Sequence, residues 1–213
     1  QPKGHKAKLI DLIRLVGHTR PDQIELEQAL KDLTSTSWFL DEEYFPPEKD
    51  QIPKEWRLGS RPNLTQMHHE ARSRVENHVE PTLIEAIEDT KSLTKNARGA
   101  GAIVHKLPKK PGDIKDDGQF HYAVLGPDAA SYPNDPSDRA ARFLFETTST
   151  DRPRVNVNAV VLAVPSPEGL ETARSRVRDH LAWTEVKDML NEEDANDLRD
   201  RRVQRNIKET EDK

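Results

Sequence analysis

His68, His69 and Glu70 are the residues whose types come closest to a metal-activated hydrolase, in which two histidines one helical turn apart hold zinc and a glutamate activates water. The spacing excludes it. An HExxH arrangement needs a histidine at position 73, which is Ser73, and adjacent histidines on a helix point about 100° apart. WFLDEE, from residue 38, looks like the tail of a magnesium-binding strand, but magnesium also needs phosphate ligands, and the chain has no GxxxxGK[ST] loop to supply them. A strand running into an acidic turn explains it better. Gly99, Ala100 and Gly101 form a partial GxG turn that lacks the third glycine and precedes a strand instead of following one. No serine sits in GxSxG.

Two further sets of residues can make contacts. Arg72 and Arg74 on one predicted helix, and Arg174, Arg176 and Arg178 on another, can reach DNA phosphates or the carboxylates of neighbouring domains, or stand on solvated faces. The net charge of −5 and pI near 5.9 argue against a general polyanion binder. So does local charge. The predicted helix from Pro21 to Thr34, placed where a groove-docking helix would be, carries Asp22, Glu25, Glu27 and Asp32 against Lys31, and the following wing has Asp41, Glu42, Glu43, Glu48 and Asp50 against Lys49. Trp183, Val186, Met189 and Leu190 end a later helix as its most hydrophobic edge, suited to docking, with core packing as the alternative.

The elements that must position these residues follow from periodicity. Leu9, Ile10, Leu12, Ile13, Leu15 and Val16 predict a buried helix stopped by Gly17, and Thr19 as cap with Pro21 opens a second. Trp38, Phe39 and Leu40, then Trp56, Arg57 and Leu58, predict a hairpin in which Trp38 and Trp56 face each other and pack on Leu30, Leu33 and Leu64. Pro62 and Asn63 introduce a third helix that Pro81 can interrupt. This order is winged-helix-like.

A change of composition near Gly99 begins a second module. Strands are expected at 103–107, 120–125 and 155–164, with helices at 137–146 and after Ser166 and Pro167, giving a small α/β unit with a mostly parallel sheet. The valine-rich run at 155–164 predicts a central strand covered on both faces, in part by Leu170, Ala173, Val177 and Leu181 and in part by Phe143, Leu144 and Phe145. The expected domains are therefore 1–97, winged-helix-like; 98–190, α/β; and 191–213, a charged tail, helical or disordered. A hydrophobic fraction of 33%, an equal charged fraction and a mean hydropathy of −0.89 fit a surface-rich chain. The absence of cysteine excludes a disulfide framework, and no apolar run has the length to span a bilayer. A soluble cytoplasmic protein is expected, and the opening Gln1 and Pro2 read as part of a longer chain.

Several segments taken together resemble a known family. WRLGSRPNLTQMHHEA (56–71), KLPKKPGDIKDDGQFHYAVLGP (106–127), RVNVNAVVLAVP (154–165) and RVRDHLAW (176–183) are similar, in this order, to segments that follow the ATPase core of a bacterial and archaeal family of large AAA-type ATPases of unknown function. Members are associated with anti-phage loci, the PglY-like proteins of phage-growth-limitation systems among them. The resemblance implies that the P-loop, ATP and magnesium belong to an upstream domain, and that this region holds no cofactor of its own. Its implied partners are that upstream ATPase domain and other defence-system proteins. Three functions compete: a non-catalytic portion serving assembly, regulation or docking, a DNA-binding module of the same machine, and an independent enzyme of unrecognised chemistry.

Overall fold

The computed structural model describes residues 6–17, 22–40, 52–59, 62–147, 152–190 and 197–211 of a mixed α/β protein with a three-stranded parallel sheet. The chain divides into two compact units, one formed by Gln1–Val75 with Asp179–Lys213 and the other by Glu76–Arg178. This differs from the sequence partition at 97/98 and 190/191. The reason is that the C-terminal segment returns to the N-terminal one, and no shift in linear composition marks a return.

In the first unit, strand β1 (Ala7–Lys8) leads into helix α1 (Leu9–Gly17), followed by α2 (Gln23–Thr36). Asp22 caps α2, its carboxylate accepting from the amides of Ile24 (2.9 Å) and Glu25 (3.3 Å). Thr19 and Pro21, read as the opening of that helix, lie outside the described residues. Strand β2 (Glu55–Trp56) pairs antiparallel with β1, so Trp56 is opposite Ala7, and the expected hairpin reduces to one Leu40–Leu58 bridge. The acidic wing at 41–51 lies outside the described residues.

The core of this part is Leu30, Leu40 and Trp56, with Leu9, Leu12, Leu26 and Ile52 against it. Trp56 is buried and its indole N–H donates to the Thr34 hydroxyl at 3.1 Å, but Trp38 is 41% exposed, Leu33 is also exposed and Leu64 belongs to another cluster. The facing tryptophan pair is therefore corrected. Trp56 pairs with β1, which the sequence did not suggest as a strand. Likewise α1 is not a buried helix: Leu9 and Leu12 pack inward, while Leu15 is 74% exposed. Trp56→Ala should then cost about 3 to 5 kcal/mol, as truncating a buried aromatic does, and Trp38→Ala no more than about 1 kcal/mol. Urea unfolding measures both, and equal losses would contradict this core.

Helix α3 (Leu64–Arg74) starts at Asn63, whose carboxamide accepts from the Gln66 amide at 3.0 Å. It packs with the second half of α7 (Pro167–Met189) and with α8 (Asp197–Glu211) around Leu64, Ala71, Val75, Ala182, Val186 and Val203. The sequence expected 191–213 to be a solvated helix or disorder. Instead Val203 is fully buried, Ile207 packs beside it, and buried Arg199 donates to the Pro62 carbonyl at 2.7 Å.

In the second unit, α4 (Glu76–Asp89) keeps Pro81 within it, and the predicted interruption falls instead at Val75. Helix α5 (Ser92–Gly99), not anticipated from sequence, packs on strands β3 (Ile103–Lys106) and β4 (His121–Val124). Gly101, with φ +80°, ends that helix in a left-handed turn, which accounts structurally for the glycine at this position. Strand β5 (Val160–Ala163) completes the order β3-β4-β5, with Ile103 opposite His121 and His121 opposite Val160. The valine-rich run is thus an edge strand, and β4 is central. Only Val160 of that run is buried, and Val155 is 85% exposed. Helix α6 (Asp138–Phe145), capped by Ser137, lies on β5 and closes a core of Ile114, Ala123, Leu125, Ala129, Ala140, Phe143 and Val160.

Candidate functional site

Among the described residues, several polar side chains converge where the segment 109–117 crosses between β3 and β4. Parallel strands need a crossover, and this one contains only a single 3-10 turn, Pro111–Asp113. Its backbone carbonyls must therefore find other donors. Arg154 supplies them. Its guanidinium, on a side chain only 4% exposed, donates to the carbonyls of Ile114 and Lys115 (3.1 Å each), Glu146 (3.1 Å) and Pro111 (3.4 Å). Burial holds its pKa below the usual guanidinium value, and nearby Asp116 opposes that shift.

Asp116 closes the same corner from the other side. Its carboxylate accepts from the amides of Val155 (2.7 Å) and Asn156 (2.9 Å) and from the Asn156 carboxamide (2.9 Å), and these backbone donors push its pKa down. Asp117 faces the sheet instead. Its Oδ1 lies 2.9 Å from Nε2 of His121 and accepts from the Gln119 amide at 3.0 Å, so its pKa is lowered mainly by the His121 bond. His121 is buried, and its Nδ1 lies 3.0 Å from Nε2 of His105.

The β3–β4 register creates this line of three groups. With Ile103 opposite His121, His105 stands two residues further on the same face, the face on which Ala123 and Leu125 enter the core. Burial pushes the His105 pKa below its ordinary value, the positive character of His121 and Arg154 adds to this, and Asp113 works against it. Chemically the arrangement is a carboxylate–imidazole–imidazole hydrogen-bond chain that can hold or pass a proton. Sequence reasoning missed the histidines, Arg154 and the acids as site residues, although the DIKDD string and Arg154 lie within segments quoted for the resemblance. Only the register joins positions 105 and 121.

A small cleft of about 180 Å³ next to this segment is lined by Lys109, Lys110, Pro111, Arg139, Arg142 and Phe143. Its arginines are paired, Arg139 with Asp128 and Arg142 with Glu146 at 3.1 Å.

Four of the five arginines singled out from sequence meet carboxylates within their own units. Arg72 lies 3.3 Å from Asp179, and Arg74 binds Glu185 at 2.5 Å with Glu70 at 3.7 Å; Glu185 raises the Arg74 pKa. Arg174 forms a two-pronged pair with Glu80 (2.9 and 3.0 Å) and reaches Glu171 at 2.7 Å, which raises its own pKa and lowers that of Glu80. Arg178 grips Glu76 in the same way at 2.5 and 2.7 Å, and Arg176 is exposed on α7. These are local carboxylate contacts.

The docking residues are placed inside. Val186 is fully buried, with Trp183, Met189 and Leu190 partly buried around it, so they form packing and not an exposed edge. His68 stacks on Trp183 with ring centroids 4.2 Å apart, and His69 and Glu70 are exposed. Among the described residues no group of three or more His, Asp or Glu is arranged to hold a metal ion, and no helix among them is long and apolar enough to cross a membrane. Compared with known proteins, the chain matches no family model, no curated protein and no solved structure.

Proposed function

We propose that this chain is a non-catalytic portion of a larger AAA-type ATPase and serves assembly, regulation or partner docking in anti-phage defence. One observation carries this reading: residues of the segments that bear the resemblance are spent on internal support. Trp56 fills a core, Asn63 caps α3, Ile114 is buried, Asp116 and Arg154 close the crossover, and Ala182 packs without exposure. Such residues make a rigid body for a partner to grip. ATP and magnesium then belong to the upstream ATPase domain, which is also the first partner.

Exposed apolar side chains on the first unit support docking there. Ile24 is 80% exposed and Leu58 78%, in addition to Leu15. Changing Leu15 and Ile24 together to glutamate should weaken association with the upstream ATPase portion at least tenfold and leave the melting temperature of the chain unchanged. A phosphate-release assay on the chain alone should show no ATP turnover. Turnover that disappears on altering one of its own residues, or association indifferent to the double change, would overturn the reading.

The DNA-binding alternative draws on the helix–helix–strand–helix order of 9–74, which suits a winged helix. Its would-be recognition helix α2 is acidic, and Arg72, Arg74, Arg174 and Arg178 already face carboxylates. An electrophoretic shift with duplex DNA that survives physiological salt would favour that alternative.

A further inference from the structure

The pairing of His105 with His121 has a property that neither ring has alone. Asp117 can only accept while ionised, so Nε2 of His121 carries the hydrogen between them and, in neutral His121, Nδ1 is left as a lone pair. At 3.0 Å from that lone pair, Nε2 of His105 is then the donor. One added proton fits this chain. His121 becomes a donor at both nitrogens, to Asp117 on one side and to His105 on the other, and His105 moves its own hydrogen to Nδ1. A second proton does not fit: two N–H groups would point at each other across the same 3.0 Å, and two like charges would share a site where His121 is 1% exposed.

We propose that His105 and His121 form a single-proton latch between β3 and β4, closed with no added proton or one and opened by the second, which makes the sheet-bearing unit acid-sensitive. The charged groups that face the pair set the direction. His105 bonds His121 and lies in the electrostatic field of Asp113 and Arg154, and His121 bonds Asp117. When the second proton parts the rings, His105 is drawn towards Asp113, whose carboxylate now accepts from the amides of Lys109 (2.9 Å) and Lys110 (3.0 Å). Opening therefore moves the partner of His105 from the strand β4 to the crossover turn.

The sign of the effect follows from linkage. His105 has a lower pKa folded than unfolded, so between the ordinary value of about 6.5 and its folded value the unfolded chain binds more protons. Stability is full above that window and falls as pH drops through it. The Asp117 carboxylate, with its lowered pKa, acts in a separate window below the ordinary aspartate value. This proposal is independent of the ATPase reading.

The test uses the whole chain, with ¹⁵N signals of the histidine rings followed by NMR from pH 8 to pH 5 and urea unfolding at the same pH values. In the wild type the His105 ring should take up its proton at lower pH than a free imidazole, with the urea midpoint falling as pH drops below about 6.5. His105→Gln keeps a donor for Nδ1 of His121 without titrating, and should flatten that fall. A His105 ring that titrates in one step near 6.5, blind to His121, would overturn the latch, as would the same pH dependence in wild type and variant. If the variant does not fold, the ring signals of the wild type decide alone.

Discussion

Replacing Arg154 with alanine is expected to lower the unfolding free energy by about 3 kcal/mol or more, because hydrogen bonds from a charged donor contribute about 1.5 to 3 kcal/mol each and four carbonyls depend on this one group. Those carbonyls belong to Pro111, Ile114, Lys115 and Glu146, so the loss strikes both the crossover and the end of α6. Ile114 itself is 1% exposed and sits in the core, which ties the polar corner to the apolar one. Arg154→Lys should recover only part of the loss. An ammonium keeps the charge but lacks the planar fork that spans several acceptors, and its burial remains costly. The order wild type, lysine, alanine in urea midpoints is the expected outcome. An alanine variant within about 1 kcal/mol of wild type, the size of an ordinary surface change, would show that water replaces the guanidinium and that the corner is not held by it.

What could be read from the sequence had local signals. Asn63, Ser137 and Ser166 stand before apolar-periodic runs, and the structure starts α3, α6 and α7 there. Caps are local, since a side-chain oxygen satisfies an amide two or three residues away. The three parallel strands were also placed close to their expected positions, because short apolar runs with intervening helix and turn signals suit a parallel sheet. Strand order was not legible. The run at 155–164 is more apolar than HYAV at 121–124, yet HYAV is central: its histidine is satisfied by Asp117 and His105, which removes the cost of burying it. The valines of the edge strand, in turn, do not all have a neighbour.

Other features depended on long-range pairing. Val203 and Ile207 form a stripe one residue wide on a charged helix, too narrow to announce itself, but sufficient against Leu64, Ala71 and Val186. Arg199, one turn earlier, reads as another surface charge and is instead buried on the Pro62 carbonyl. The candidate site shows the same limit. Asp116 and Asp117 are adjacent and conspicuous, but their partners Val155, Asn156 and His121 are fixed only when the crossover folds over the sheet.

The strongest test of the packing around α7 is Val186→Glu. Val186 has no exposed surface, and its neighbours Leu64, Ala71, Val75, Ala182 and Val203 are all apolar, so a carboxylate there must either be buried without a partner or force the helices apart. An uncompensated buried charge costs about 3 to 5 kcal/mol, a large part of the roughly 5 to 15 kcal/mol that stabilises a typical domain. Met189→Glu is the informative contrast. Met189 is only partly buried, and the Arg74 guanidinium lies 3.2 Å from its sulfur, so a glutamate at this position finds a cation beside it. Its cost should stay near 1 kcal/mol, the range of an exposed or half-exposed pair. Thermal melts of the two variants should therefore separate clearly, with Val186→Glu far lower or unfolded and Met189→Glu close to wild type. If the two residues instead formed an exposed docking edge, both variants would melt like the wild type and both would lose association with a partner. A Val186→Glu protein that keeps its melting temperature would refute the packing described for α3, α7 and α8, because no rearrangement of apolar neighbours can solvate a carboxylate while that core remains closed.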